Sequence, residues 1–222
     1  EVKSELGGTG VVSGWGLTEA PILTMGASTD PDEKLATTEG KAMPGVELLA
    51  IKANGESAKA GEEGELRAKA PQLMLGYLDA SLDAEAFDEN GYFRTGDLGI
   101  IDDQGYVIIS GRLKDVIIRH GENISAKEVE DILFQHPLVQ DVAVIGLPDQ
   151  VTGERACAVI SLNEESASLT LDQMRTYLEE SGLRKNAIPE QLEIVASVPR
   201  NPSGKITKNV LKDQFKDGDF KR

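Results

Sequence analysis

Cysteine, histidine, positive charge and long apolar runs are all scarce in these 222 residues, and each scarcity removes a class of protein. Cys157 is the only cysteine. Its setting, Ala156-Cys157-Ala158-Val159-Ile160, reads as a buried strand, which excludes a disulfide framework and favours a core thiol over a nucleophile. His120 and His136 have no Cys or His partner at metal-ligand spacing and read as loop and helix-end residues, not as ligands or bases. No run of about 18 apolar residues offers an integral membrane segment. The residues from Glu1 onward lack the pattern of a signal peptide, so a reducing, cytoplasmic setting is the expectation. Lys and Arg number 23 against 38 Asp and Glu, a net charge of −15. Such a surface repels nucleic acid and anionic membrane, so an anionic ligand has to be held by a local set of donors. A homo-oligomer is left open.

The length allows two ordinary domains with substantial cores. Residues 1–111 carry 8 basic against 20 acidic side chains and residues 112–222 carry 15 against 18, so the charge changes character near the midpoint. That midpoint is Gly111-Arg112-Leu113-Lys114-Asp115, which reads as a link with its hinge at Lys114 between domains 1–111 and 112–222. The fold class expected is α+β: the end of a large N-terminal domain, then a compact α+β domain.

Before the link, Val2 to Leu6 and Gly7-Gly8-Thr9-Gly10 lead to a short apolar strand at Val11-Val12. From about residue 40 to 111 the pattern is short strands and tight turns, namely Val46 to Ile51, Asn54-Gly55, Glu65 to Ala68, and a hairpin from Ile100 to Ile109 turning at Gly105. This reads as a small, distorted, barrel-like β subdomain, interrupted by one brief helix at Leu82 to Phe87. After the link, His120-Gly121-Glu122-Asn123 is a hairpin tip suited to positive φ at Gly121. Ser125 to Glu128 is a capping box opening a helix whose apolar face is Val129, Ile132 and Leu133. Strands follow at Val139 to Leu147 and Arg155 to Leu162, then a helix from Thr170 to Gly182, a strand from Gln191 to Val198 and a final helix from Thr207 to Phe215. Arg200 to Arg222 carries 7 basic against 3 acidic residues, the one basic excess in an acidic chain. Lys208, Lys212 and Lys216 read as a solvated stripe, and Lys205, beside Gly204, as the cation able to reach into a site.

Three further places could carry chemistry. Gly14 and Gly16 bracket Trp15, either to admit a flat ligand or to pack a core indole. Thr18 and Glu19 add a hydroxyl and a hard carboxylate oxygen. Asp97, read as following Gly96 in a sharp turn, either presents its carboxylate to paired hydroxyls such as those of a ribose or caps the turn.

In this order and spacing, Gly14-Trp15-Gly16-Leu17-Thr18-Glu19, Gly64-Glu65-Leu66, Gly76-Tyr77, Tyr92 to Leu98, Gly111 to Asp115 and Ser203-Gly204-Lys205 resemble the acyl-adenylate-forming superfamily of acyl-CoA synthetases, adenylation domains and luciferases. The resemblance spans nearly the whole chain. It implies an ATP-dependent ligation of a small-molecule carboxylic acid: acid and ATP give acyl-AMP and pyrophosphate, and a thiol, that of CoA, then takes the acyl group. By this resemblance Trp15 stacks on the adenine, where a tyrosine is more usual, Gly16 belongs to the same nucleotide site, Thr18 touches the α-phosphate, and Glu19 ligates Mg2+. Asp97 and Arg112 hold the ribose, and Lys205 meets the carboxylate and α-phosphate oxygens. Gly121 lines the passage for the CoA thiol, Lys114 is the hinge, and Gly14, Ala20 and Pro21 border the acyl pocket. The family's phosphate loop ending in Lys-Gly is not in this sequence, nor is the region carrying most of the acid site, so the chain is expected to be the C-terminal portion of a longer ligase. Lys208 stands where many relatives have arginine. Two other functions stay open, an acyl-AMP ligase that loads a carrier protein and a non-catalytic nucleotide-binding module.

Overall fold

A computed structural model describes residues 11–164 and 168–216, so the passage from Val2 to Gly10 and the end of the basic tail lie outside the described residues. The chain divides into two compact units, residues 1–113 and 114–222. The folds are mixed α/β, and among the described residues no helix is long and apolar enough to cross a membrane.

The first unit opens with β1 (Gly14–Trp15) and β2 (Thr24–Met25), a short helix α1 (Asp32–Thr37) and β3 (Lys41–Ala42), whose strands form a three-stranded antiparallel sheet in chain order. Val11 and Val12 are not a strand. They are 59% and 41% exposed, and among the described residues strand pairing begins at Gly14. A second antiparallel sheet joins β4 (Glu47–Ile51), β5 (Glu63–Lys69), β6 (Phe93–Ile101) and β7 (Val107–Arg112), with α2 (Asp83–Ala86) between β5 and β6. Alternate residues of β5, Leu66 and Ala68, are fully buried and share a cluster with Trp15, Leu23 and Val107, the period-two signature of a sheet with one face on the core.

The expected barrel does not form: among the described residues this sheet stays open. Each of its end strands has its outer edge taken by another segment. On β4, Ala58 N donates to Ala50 O (2.8 Å) and Ser57 bridges Ile51. On β7, Glu39 N donates to Val107 O (2.7 Å), Val107 N donates to Gly40 O (2.9 Å), and Lys41 bridges Tyr106. With those edge groups already bonded, β4 and β7 cannot use them to pair with each other.

Asp97 also departs from expectation, since it lies inside β6 and not in a turn. Between the pairs Glu65–Leu98 and Arg67–Arg94 the register shifts and β6 carries extra residues, a bulge in which Gly96 takes φ +69°. Thr95 Oγ1 stabilises it by donating to Leu66 O (2.6 Å) and accepting from Asp97 N (3.1 Å). A bulge re-aims the side chain next to it, here Asp97.

The second unit is built on β10 (Val139–Asp149) and β11 (Gly153–Leu162), a long antiparallel hairpin. β11 is flanked by β8 (Val116–Arg119), which pairs with β9 (Glu122–Ser125), and by the parallel strand β12 (Gln191–Ile194). Regular strand geometry ends at Ile194, short of the expected Val198; Val195 N makes one more bond to Ile160 O, and Val198 is buried without pairing. Both faces of the hairpin are covered. Val142, Val144, Ala156, Ala158 and Ile160 pack beneath α3 (Ala126–Leu133) and α4 (Leu171–Glu180). The alternate residues Ala143, Ile145, Leu147, Cys157 and Val159 pack with Val198 and with Leu211 of α5 (Lys208–Phe215). Each fully buried Leu or Ile contributes about 1.5–3 kcal/mol. Ser125 caps α3, and Thr170 and Gln173 form a complete capping box on α4.

Candidate active site

In the first unit, residues far apart in sequence converge on Asp97. The bulge points its carboxylate between two donors: Arg112 Nε reaches Oδ1 (2.6 Å) and Trp15 Nε1 reaches Oδ2 (2.8 Å). Asp97 and Arg112 face each other across β6 and β7, so sheet register supplies that pair. Asp97 is 5% exposed, whereas the Arg112 side chain is 42% exposed. A carboxylate offers about four lone-pair sites, and two are used here, which leaves acceptor capacity for paired hydroxyls.

Trp15 is buried, and its bracketing glycines serve its own chain. A Cβ on Gly14 would lie 2.8 Å from Thr24 O, and one on Gly16 2.4 Å from Ile22 N, both backbone atoms that cannot give way cheaply. The intervening loop is tight. Leu17 N donates to Ala20 O (3.0 Å), Ala20 N to Leu17 O (3.2 Å) and Leu23 N to Trp15 O (2.8 Å). Closing it forces Ile22 to φ +51°, a left-handed conformation that costs a β-branched residue about 1–3 kcal/mol. The loop presents Thr18 and Pro21 to solvent and buries Ala20 completely in the Trp15 and Leu23 cluster. Glu19 is half-buried: Met74 N donates to its carbonyl (2.8 Å) and the Tyr77 hydroxyl donates to its Oε1 (3.0 Å). Burial, the bond to Glu19 and its charge push the Tyr77 phenol up, so it stays a donor.

In the second unit, Lys205 sits on a self-contained loop. Asn201 Oδ1 accepts from Ser203 N (3.1 Å), Ser203 Oγ (2.8 Å) and Lys205 N (2.9 Å), and Asn201 N donates to Lys205 O (2.9 Å). Arg200 braces it from outside, with Nη1 on Gly204 O (2.6 Å) and Nη2 on Asp141 Oδ2 (2.7 Å). Lys205 is exposed, and among the described residues its ammonium has no carboxylate partner. Lys208 is not part of a solvated stripe, because its Nζ lies 2.7 Å from Glu130 Oε1 and 3.8 Å from Asp115 Oδ2. Glu130 also accepts from Val144 N (2.7 Å), and burial pushes its carboxyl above the usual range despite the lysine. Gly121 (φ +78°) and His120 (φ +52°) form the two-residue turn between β8 and β9, with positive φ at both as that turn requires, and no atom lies within 4 Å of where a Cβ on Gly121 would be. Lys114 is exposed in a single 3-10 turn, Leu113–Asp115.

The structure thus brings Trp15, Asp97 and Arg112 together, sets Glu19 beside Tyr77, and places Lys205 and Gly121 on separate loops of the second unit. Sequence reasoning gave no role to Asn201, Thr95 or Tyr77. Asn-Pro-Ser-Gly does carry the signal of an Asn that bonds its own downstream backbone; Thr95 and Tyr77 lie within motifs the sequence singles out, but their partners, Leu66 and Glu19, are brought to them only by the fold.

Comparison with known proteins fits this arrangement. A family model for the AMP-binding enzyme matches residues 1–78, and one for the AMP-binding enzyme C-terminal domain matches residues 128–205. Among curated relatives, the medium-chain fatty-acid–CoA ligase of Escherichia coli K12 is 37% identical over 206 residues, 92% of this chain and 36% of that protein. The salicyl-AMP ligase/salicyl-S-ArCP synthetase of Mycobacterium tuberculosis is 39% identical over 188 residues, 84% of this chain and 33% of that protein. The ATP-bound structure of MatB from Rhodopseudomonas palustris superposes with a TM-score of 0.85 at 33% identity, covering 93% of this chain and 41% of MatB. The chain belongs to this family, the adenylate-forming acid ligases. It spans about a third to two fifths of the length of these relatives.

Proposed function

We propose that the protein carrying this chain is an ATP-dependent carboxylic acid–CoA ligase, with residues 1–111 closing the large adenylate-forming domain and residues 112–222 forming a mobile lid. The observation that carries the reading is Asp97, buried between Trp15 and Arg112 with acceptor capacity left over. In the first step a carboxylate oxygen of the acid attacks the α-phosphorus of ATP, the bond to the β-phosphate breaks and pyrophosphate leaves. In the second, the CoA sulfur attacks the acyl carbon as its proton is lost, and AMP leaves with the anhydride oxygen.

Asp97 and Arg112 take the ribose hydroxyls, Trp15 and Gly16 border the adenine, and Thr18 meets the α-phosphate. Lys205 supplies fixed positive charge where charge builds on the carboxylate and phosphate oxygens. Magnesium characteristically binds through one or two carboxylates together with substrate phosphates. Glu19, whose Oε1 accepts from the Tyr77 hydroxyl and whose Oε2 has no hydrogen bond among the described residues, fits that donor set. When bound, Mg2+ neutralises phosphate charge.

Gly121 lines the thiol passage, and Lys114 is the hinge that lets the second unit present first Lys205 and then Gly121. Gly14, Ala20 and Pro21 border the acyl pocket. The relative named salicyl-S-ArCP synthetase favours a second reading in which the acceptor thiol belongs to a carrier protein.

The test is pyrophosphate release by the complete ligase across short, medium, aromatic and alicyclic acids, followed by product analysis with CoA and with a pantetheinylated carrier. Lys205→Ala is expected to slow adenylation about 100- to 1,000-fold and to spare thioester formation from supplied acyl-AMP. Lys114→Pro is expected to do the reverse, sparing adenylation. No acid-dependent pyrophosphate release from any class of acid would overturn the proposal.

A further inference from the structure

We propose that Tyr77 is a positioning residue for Glu19: its hydroxyl holds one carboxylate oxygen so that the other is presented to the cation that enters with ATP. The inference rests on the metal role given to Glu19 above. Gly76-Tyr77 is a motif that this role leaves unexplained, and the structure gives it a place.

Two segments more than fifty residues apart are tied at two points, Met74 N to Glu19 O (2.8 Å) and Tyr77 Oη to Glu19 Oε1 (3.0 Å), so both the backbone and the carboxylate of Glu19 are fixed by one short stretch. That stretch is itself clamped. Asp83, in the first turn of α2, accepts from Tyr77 N (2.9 Å), and a Cβ on Gly76 would come within 2.7 Å of Asp83 Oδ2, so only glycine fits there without moving the clamp. Among the described residues no lysine or arginine forms an ion pair with Glu19, which is only half-buried. A phenol bonds one oxygen and leaves the negative charge uncompensated, the arrangement expected of a carboxylate whose cation comes from outside.

The experiment uses the complete ligase and isothermal titration of ATP at a series of free Mg2+ concentrations, with AMP binding in EDTA as the reference for an intact nucleotide site. Tyr77→Phe keeps the ring and removes the hydroxyl. A hydrogen bond to a charged group is worth about tenfold in an equilibrium. The Mg2+ concentration that half-saturates the effect on ATP affinity should therefore rise about tenfold in Tyr77→Phe, with AMP binding unchanged. Glu19→Gln should abolish most of the Mg2+ effect, and adding Tyr77→Phe to it should change nothing further. A shift in Glu19→Gln with none in Tyr77→Phe would overturn this inference alone. An unchanged Mg2+ response in Glu19→Gln would overturn the metal role of Glu19 and this inference with it. Equal losses of ATP and AMP binding in Tyr77→Phe, independent of Mg2+, would show Tyr77 to be a packing residue.

Discussion

Replacing Asp97 by asparagine tests the central constellation with almost no change in shape. Both groups on the Asp97 carboxylate are donors, Arg112 Nε at 2.6 Å and Trp15 Nε1 at 2.8 Å. An amide has one acceptor oxygen and one NH2, so either orientation sets a donor against a donor. Trp15 is buried, 8% exposed, while the Arg112 side chain, 42% exposed, can turn to water. In Asp97→Asn the amide oxygen should therefore go to Trp15, and Arg112 should be released to solvent. The loss is one charge-assisted bond, worth about 1.5–3 kcal/mol when buried and about 1–2 kcal/mol after allowing for the exposed guanidinium. Asp97→Ala also leaves the indole N–H buried and unpaired, adding about 1–3 kcal/mol. The assay is urea unfolding followed by the emission of Trp15, the sole tryptophan, which reports on the first unit. Equal destabilisation by the two substitutions, or an Asp97→Asn midpoint indistinguishable from wild type, would refute the reasoning.

Two further predictions concern the second unit. Burial raises the Glu130 carboxyl above its ordinary value of 4.5, so the folded state holds that proton more tightly than the unfolded state does. Its contribution is full below the ordinary value and is lost as pH rises through the folded value, and Glu130→Gln should flatten the stability profile over that window, measured by urea unfolding from about pH 4 to 7; an unaltered slope would count against it. Burial also pushes the Cys157 thiol up to about 12. It should therefore resist a thiol reagent at about pH 8 until the unit unfolds, and rapid labelling of the native protein would contradict its place in the core.

Much of the fold was legible where the signal was local. Asp102 Oδ1 accepts from Gln104 N and Tyr106 N, and Gly105 takes φ +83°, so the Ile100 to Ile109 hairpin is written within a few residues. The Ser125 and Thr170 caps and the alternating β10 and β11 were equally readable. Helix α1 was not, because its six residues bury none of their side chains and leave no periodic trace. The open sheet was missed because alternation identifies strands but says nothing about which edges meet, and here Glu39 to Lys41 takes an edge that a barrel would need. Gly96 read as a turn because a glycine with positive φ looks alike in a turn and in a bulge; only the register of β5 against β6 separates the two. Asp97, Arg112 and Glu19 stood out through motif spacing. The donors that hold them, Trp15 at 82 residues from Asp97 and Tyr77 at 58 from Glu19, are matched only by the fold.

The three donors gathered on Asn201 Oδ1 all come from within four residues of it. The loop carrying Lys205 therefore owes its shape to itself and to Arg200, much as a tool bit owes its shape to the bit and not to the arm that moves it. Those bonds are local, so the place of the ammonium within the second unit is set by residues 200–205 and by the hold of Arg200 on Asp141. A damaged loop, as in Asn201→Ala, would misplace Lys205 while leaving the core of the second unit, which lies elsewhere, intact.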